Sequence, residues 1–319
     1  MNILYITNMY PNADDPTYGI FVKEQVDAIS NGEAVSYEVY AINGKKGLWE
    51  YVKSIGEIRS LIKKEKFDLI HIHYGLSGLF LLLGRVKIPT IMTLHGGDIQ
   101  AEQGKNIQVA LTKMILRKCD FAITLNERMD TIARKYINRT EIIPCSVNTK
   151  LFEPKDIAKA KSKAVKVLFP SARTRYVKDF PLYQRTCNVL REKYGLNIDE
   201  YYLENLSRQQ VAELFCQMDL LLMTSISEGS PQVVKEAMAC NLPVVTTNVG
   251  DVSVLLEGVA NCYVANSRDE NELSDLAYKS LFKKMNTGVS PRERIINLGL
   301  DDESIAKRII RVYYDVNSK

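Results

Sequence analysis

Along the first half of the chain, short apolar runs alternate with stretches of helical spacing. Ile3–Thr7 is a continuous apolar run, followed by a turn-rich loop of Pro11, Asn12, Ala13, Asp14, Asp15 and Pro16. Phe21, Val22, Val26 and Ile29 then recur at helical intervals, which predicts a helix over 21–30. Ser36–Ile42 alternates as a strand does, and Leu48–Lys64 returns to the helical period. Phe67–His73, Thr90–Thr93, Phe121–Leu125 and Glu141–Ile143 read as further strands. The polar segment Val147–Lys166, rich in lysine and alanine and carrying Pro154, is the expected linker. The rhythm then restarts with strands over 165–170, 198–203, 220–224 and 243–246 and helices over 181–194, 207–218 and 231–240. The tail 303–316 is amphipathic, with Ile305, Ile309, Ile310, Val312 and Tyr313 on one face. Apolar strands alternating with helices predict two doubly wound parallel-sheet α/β domains. Ligands of such sheets bind beyond the carboxyl ends of the strands, so a cleft between the two domains is the expected site.

A length of 319 residues fits two domains of roughly 150. A 46% hydrophobic and 25% charged composition is that of a soluble globular protein. No apolar run is long enough for a transmembrane helix, and the first residues read as a strand rather than a signal peptide. Six scattered cysteines without a C-x-x-C pair predict reduced thiols in a cytoplasmic protein. A net charge of +4 gives no reason to expect nucleic acid as a partner. Residues 105–139 are locally basic, with eight Lys/Arg against three acids. They read either as solvated helix faces or as a surface that attracts anions or membrane.

Several motifs are missing. There is no G-x-G-x-x-G after the first strand, where Gly19 is the one glycine, and no G-x-x-x-x-G-K-[ST]. H-E-x-x-H, G-x-S-x-G and D-x-D are also absent. His71 and His73 share one face of a strand, and with His95 they form either a three-histidine zinc set or polar site residues without a metal.

The informative stretch runs from Thr224 to Pro243 and follows the buried run Leu220–Met223. Gly229 permits a tight turn or a close backbone approach, Ser230 suits an N-cap and Pro231 a first helical position. Amides of Ser230 to Val234, Val233 among them, then face an anion such as a diphosphate. Glu228 and Glu236 lie eight residues apart, at most about 12 Å along a helix, a span that fits a sugar at one end and a ribose at the other. Carboxylates suit both, because they accept hydrogen bonds from vicinal hydroxyls.

Here the chain resembles the family-4 glycosyltransferases, whose hallmark E-x7-E is matched by Glu228 and Glu236. The resemblance extends to Tyr18-Gly19-Ile20-Phe21-Val22, to Asp68-Leu69-Ile70-His71-Ile72-His73, to Thr93-Leu94-His95-Gly96-Gly97-Asp98, and to Arg173 and Lys178. It departs in residues 195–206, which are shorter than usual and lack a G-D-G-type turn, in the region that normally lines the nucleobase pocket. The resemblance implies a GT-B fold of two Rossmann-like domains facing a cleft. Residues 1–153 would be the acceptor side, 154–301 the nucleotide-sugar side, and 302–319 a helix crossing back. It implies a retaining, metal-independent enzyme that moves a hexose or N-acetylhexosamine from a UDP- or GDP-linked donor. No separate cofactor is implied.

By the same resemblance Arg173 and Lys178 would stabilise the departing diphosphate, and Glu236 would hold the ribose. Glu228 and the amides after Gly229 would hold the transferred sugar and phosphates, Gly19 would let the backbone approach the donor, and His95 would lie near the reacting carbon. A saccharide or lipid-linked acceptor in polysaccharide assembly follows. Trp49, Val52, Ile55, Ile58, Leu61 and Ile62, near one helical face and ringed by lysines, read either as a helix packed on the first sheet or as a basic amphipathic surface that holds the protein peripherally on the inner face of an anionic membrane. A GT-B epimerase or hydrolase, or a catalytically silent sugar-nucleotide-binding subunit, would use the same residues.

Overall fold

The apolar runs form parallel strands, and these gather into two sheets. The computed structural model describes residues 1–13, 15, 18–32, 35–100, 106–155, 164–283 and 288–318. Asp14 and Pro16 of the first loop, Lys105 of the basic segment and the middle of the expected linker lie outside the described residues.

The first sheet is built from β1 (Asn2–Thr7), β2 (Ser36–Ala41), β3 (Leu69–His73), β4 (Thr90–Thr93), β5 (Phe121–Thr124) and β6 (Thr140–Ile142). Its helices are α1 (Ile20–Gly32), α2 (Leu48–Lys64), α3 (Asn106–Leu116) and α4 (Glu127–Ala133). The strand order is β2-β1-β3-β4-β5-β6. Strands β3, β4 and β5 are buried at every position, as expected of parallel strands covered on both faces. The chain passes from β1 to β2 on one side and then to β3 on the other, so the loops after β1 and β3 diverge and leave a crevice at their carboxyl ends.

The second sheet holds β7 (Val165–Phe169), β8 (Ile198–Tyr202), β9 (Leu220–Met223), β10 (Val244–Thr247) and β11 (Tyr263–Ala265). They run in the order β11-β10-β9-β7-β8. Its helices are α5 (Phe180–Tyr194), α6 (Arg208–Gln217), α7 (Gln232–Ala239), α8 (Val252–Leu255), α9 (Glu270–Phe282) and α10 (Pro291–Asn297). The order reverses between β7 and β9, which places the loops carrying Lys178 and Glu228 at the crevice. The chain ends in α11 (Asp302–Asn317).

Contacts divide the chain into Met1–Ser146 with Asp302–Lys319, and Val147–Asp301. The boundary expected after residue 153 therefore moves to 146/147. The reason is Arg292 on α10, whose guanidinium donates to the carbonyls of Thr149 and Phe152 and ties 147–153 to the second unit. Helix α11 joins the first unit, packing on α1 and sending the Tyr313 hydroxyl to Tyr5, 3.1 Å away.

The apolar face read along α2 is divided. Ile58 is buried, and Ile55, Leu61 and Ile62 pack on the core, so most of it is an ordinary helix on a sheet. Its first turns differ: Leu48, Trp49 and Val52 are 58%, 71% and 44% exposed. The basic segment is also partly structural. Lys113 and Arg117 lie over the Tyr136 ring, Arg134 pairs with Asp130, and Arg139 pairs with Asp315.

Candidate active site

In the first unit the site residues follow β1, β3 and β4. Gly19 opens α1 with φ +69°, and a Cβ there would lie 2.3 Å from the Met9 carbonyl. Only glycine accepts both the left-handed backbone and that approach, so the loop after β1 folds tightly onto the strand end.

His95 follows β4. Its amide and that of Gly96 donate to the Asp98 carboxylate at 3.0 Å, and the same carboxylate accepts from the Gly75 amide at 3.1 Å. Asp98 is fully buried, and burial pushes its carboxyl up to about 6 against the lowering effect of these amides. One buried carboxylate thus joins the loops after β3 and β4. The His95 ring stacks on His73 with centroids 5.4 Å apart and meets Phe21 at 5.2 Å. His95 Nε2 lies 3.2 Å from His73 Nδ1.

His71 sits deeper. Its Nδ1 meets the Tyr313 hydroxyl at 2.6 Å and its Nε2 the Thr93 hydroxyl at 2.7 Å. With both nitrogens engaged, His71 does not turn towards a shared metal with His73 and His95. Among the described residues no cluster of His, Cys, Asp or Glu converges as metal ligands do. Burial lowers all three imidazoles: His71 to about 3, His95 to about 4, and His73 well below its ordinary value. They are polar, neutral residues of the fold.

In the second unit the site residues stand in ion pairs. Lys178 closes the loop after β7 and is 6% exposed, and its Nζ donates to Glu228 at 2.5 Å. Two tethers hold this loop against the one after β9. The Thr224 hydroxyl donates to the carbonyls of Lys178 and Asp179, and the Ile226 amide donates to the Val177 carbonyl. Arg268 adds a third link, donating to the carbonyls of Thr224 and Ser225 and to the Asp179 carboxylate.

Glu236, four residues into α7 and 4% exposed, accepts from Arg208 at 2.7 Å. Arg208 in turn lies over the Phe152 ring at 4.7 Å. Arg173 does not join Lys178. Its guanidinium and amide both donate to Glu204, just after the short β8, and it lies 4.9 Å over the Tyr202 ring.

Three expectations about the α7 entry change. Pro231 is the N-cap rather than the first helical residue, and it makes no side-chain cap. The Ser230 hydroxyl does not cap either: it donates to Asp251 at 2.6 Å. Burial raises the Asp251 carboxyl, with Lys235 opposing. The run of anion-facing amides shortens, because Pro231 has no N–H and the Val234 amide is taken by the Pro231 carbonyl. The backbone at Gly229 is approached closely by Gly250, where φ is +62° and a Cβ would lie 2.7 Å from the Gly229 carbonyl oxygen.

Sequence reasoning missed Asp98, Glu204, Arg208, Asp251 and Arg268. For Arg208 a signal existed: it opens a helix whose Ser207 and Gln210 form a capping box, directly after the region already noted as shortened. Asp98 lies within the Thr93–Asp98 stretch, three residues from His95, but its role there was not read; Glu204, Asp251 and Arg268 lie 31, 21 and 44 residues from Arg173, Ser230 and Thr224.

Two family models match this chain: "Glycosyltransferase Family 4" over residues 18–151 and "Glycosyl transferases group 1" over 183–281. The chain is 24% identical over 305 residues to the N-acetyl-alpha-D-glucosaminyl L-malate synthase of Bacillus anthracis, covering 82% of this chain and 78% of that one. It is 22% identical over 263 residues to the UDP-Gal:alpha-D-GlcNAc-diphosphoundecaprenol alpha-1,3-galactosyltransferase of Escherichia coli, covering 68% of this chain and 65% of that one. The crystal structure of Anabaena HepE in complex with UDP-glucose superposes with a TM-score of 0.71 at 15% identity, covering 99% of this chain and all of that one (100%).

Proposed function

This chain belongs to the family-4 glycosyltransferases and has the GT-B fold, and from that premise we propose a retaining enzyme that moves a hexose or N-acetylhexosamine from a nucleoside-diphosphate sugar. The acceptor is a saccharide or lipid-linked saccharide in the synthesis of a polysaccharide or glycoconjugate, the last step being read from the E. coli relative's printed activity.

The observation that carries this reading is the Lys178–Glu228 pair at the strand-order reversal of the second sheet. A buried ammonium beside the start of α7 is placed to meet the charge that develops on a departing diphosphate. Arg173, more exposed, adds a second cation, so the charge that a divalent ion supplies elsewhere comes here from side chains. Glu236, oriented by Arg208, accepts from the ribose hydroxyls, and the UDP of the HepE complex makes uridine the first base to test. Glu228 and the amides of Ser230 and Val233 hold the sugar and phosphates. Gly19 admits the backbone of the first unit towards the donor, and His95 hydrogen-bonds a hydroxyl near the reacting carbon.

No carboxylate is assigned as a nucleophile. The bond from the anomeric carbon to the phosphate oxygen breaks, and the acceptor oxygen bonds on the same face. The leaving phosphate takes the acceptor proton.

The exposed start of α2 supports contact with an anionic membrane. Leu48, Trp49 and Val52 are apolar and outward, beside Lys45, Lys46 and Lys53. No helix among the described residues is long and apolar enough to cross a membrane. All six cysteines are free, which supports a reducing cytoplasmic setting. Binding to phosphatidylglycerol vesicles that weakens with salt, and weakens again in Trp49→Ser, is the expected result. Binding unchanged by either would remove the membrane contact.

The test of the activity is a screen of UDP- and GDP-sugars by calorimetry on the wild type and Glu236→Ala. Binding of one donor that is lost in the variant, with transfer only when acceptor is added, supports the reading. Donor turnover without acceptor would favour an epimerase or hydrolase. No binding to any donor by folded protein would favour a silent subunit.

A further inference from the structure

His95 is held on two sides by different means. Its backbone is fixed by the Asp98 carboxylate, and among the described residues its imidazole meets one hydrogen-bonding partner, His73 Nδ1 at 3.2 Å. A neutral imidazole has one donor and one acceptor nitrogen, so one ring must donate and the other accept. The geometry of His73 decides which. His73 is fully buried on β3, and among the described residues its Nε2 has no hydrogen-bond partner. A proton on Nε2 would leave a buried N–H without a protein acceptor, whereas a proton on Nδ1 leaves only a lone pair unmatched. Orphaned buried donors are the rarer and costlier case.

We propose that His73 is a positioning residue that sets the tautomer of His95: His73 donates from Nδ1 to His95 Nε2, and this places the His95 proton on Nδ1. Resting on the transferase reading above, His95 then offers the substrate an N–H donor, suited to a hydroxyl oxygen of the transferred sugar and unsuited to removing a proton from the acceptor. The surroundings keep the pair in this register. The His73 ring lies between His71, tilted against it at 4.4 Å, and His95. His71 is itself anchored by Tyr313 of α11 and by Thr93, the last residue of β4. The chain's last helix thus buttresses the imidazole stack that ends at His95.

Three histidines in the chain make the test direct. Long-range proton–nitrogen correlation spectra of protein labelled with 15N-histidine distinguish a ring protonated at Nδ1 from one protonated at Nε2. In the ligand-free wild type, His95 is expected to carry its proton on Nδ1. In His73→Phe it is expected to shift towards Nε2. Glycosyl transfer should fall about 10²-fold in kcat with little change in donor KM, the loss of one oriented donor at the reacting centre. His73→Gln, whose amide can still donate, should recover most of that rate. A wild-type His95 protonated at Nε2 overturns the proposal, and so does a folded His73→Phe with an unchanged His95 tautomer. The wild-type spectrum decides even if the variant does not fold. It needs no transferase activity, so failure of the functional reading leaves it standing.

Discussion

The two halves of this protein hold their candidate residues by opposite physics. In the first unit His71 and His73 are buried and His95 partly so, all three neutral and linked through hydroxyls, ring contacts and one carboxylate that collects backbone amides. In the second, Lys178 and Glu236 are buried as charges, each matched by a partly buried opposite, Glu228 and Arg208. Each arrangement suits a different ligand chemistry. A diphosphate calls for fixed charge of opposite sign, and hydroxyls call for neutral donors and acceptors. A buried ion pair also gives a large response when one partner is removed, since the other charge is stranded.

The largest test of the contrast is Lys178→Ala. Glycosyl transfer is expected to fall about 10³-fold, the scale of losing a preorganised electrostatic group. Stranding Glu228 should also cost about 3 kcal/mol of stability. Steady-state kinetics and urea unfolding read the two separately. Unchanged kinetics with lower stability would make the pair purely structural.

Next is Gly19→Ala. Left-handed φ and a Cβ 2.3 Å from Met9 should destabilise the first unit by at least about 2 kcal/mol, visible as an earlier thermal transition. A neutral result would mean that the loop after β1 can relax.

The third prediction is an acid limit on the first unit. The folded histidines titrate at about 3 for His71 and about 4 for His95, with His73 also lowered, against 6.5 in the unfolded chain. Their contribution is fully present above pH 6.5 and is lost as pH falls from there towards 4. Asp98 acts in the other direction. Its folded value of about 6 lies above 3.8, so its cost is relieved as pH drops through that window. Three protons taken up by the unfolded chain against one taken up by the fold leave a net loss, roughly 1.4 kcal/mol per pH unit for each excess proton. Calorimetry between pH 7 and 5 should show the first unit weakening before the second. Equal slopes for the two would break the comparison.

The smallest effect is on stability in Arg173→Ala. Arg173 and Glu204 are 52% and 30% exposed, so their pair should add nothing measurable to the fold. Donor affinity should nevertheless weaken about tenfold, because a bound diphosphate offers the same guanidinium a stronger partner. A variant with wild-type donor affinity would take Arg173 out of the site.

Much of this was legible in the chain. Short apolar runs gave the strands Leu69–His73, Thr90–Thr93 and Leu220–Met223, because a parallel strand covered on both faces tolerates little else. Leu48–Lys64 declared its helix by period, Glu228 and Glu236 stood out within the strand–loop–helix stretch from Leu220 to Pro243, and Lys178 was singled out by the family resemblance. Less legible were α9 and α10, whose polar residues dilute the period, and the outward turn of Leu48 and Trp49. Local pattern says that a face is apolar; neighbours decide whether it is covered.

Sequence by itself therefore determined the elements, their alternation and the types of residue gathered at the strand ends. These depend on backbone geometry and on contacts a few positions apart. Tertiary structure alone decided the partners. Lys178 meets Glu228 across 50 residues, Arg208 meets Glu236 across 28, and His71 meets Tyr313 across 242. Such pairings are set by strand order and helix docking, which bring distant loops within 3 Å, and no local spacing records them.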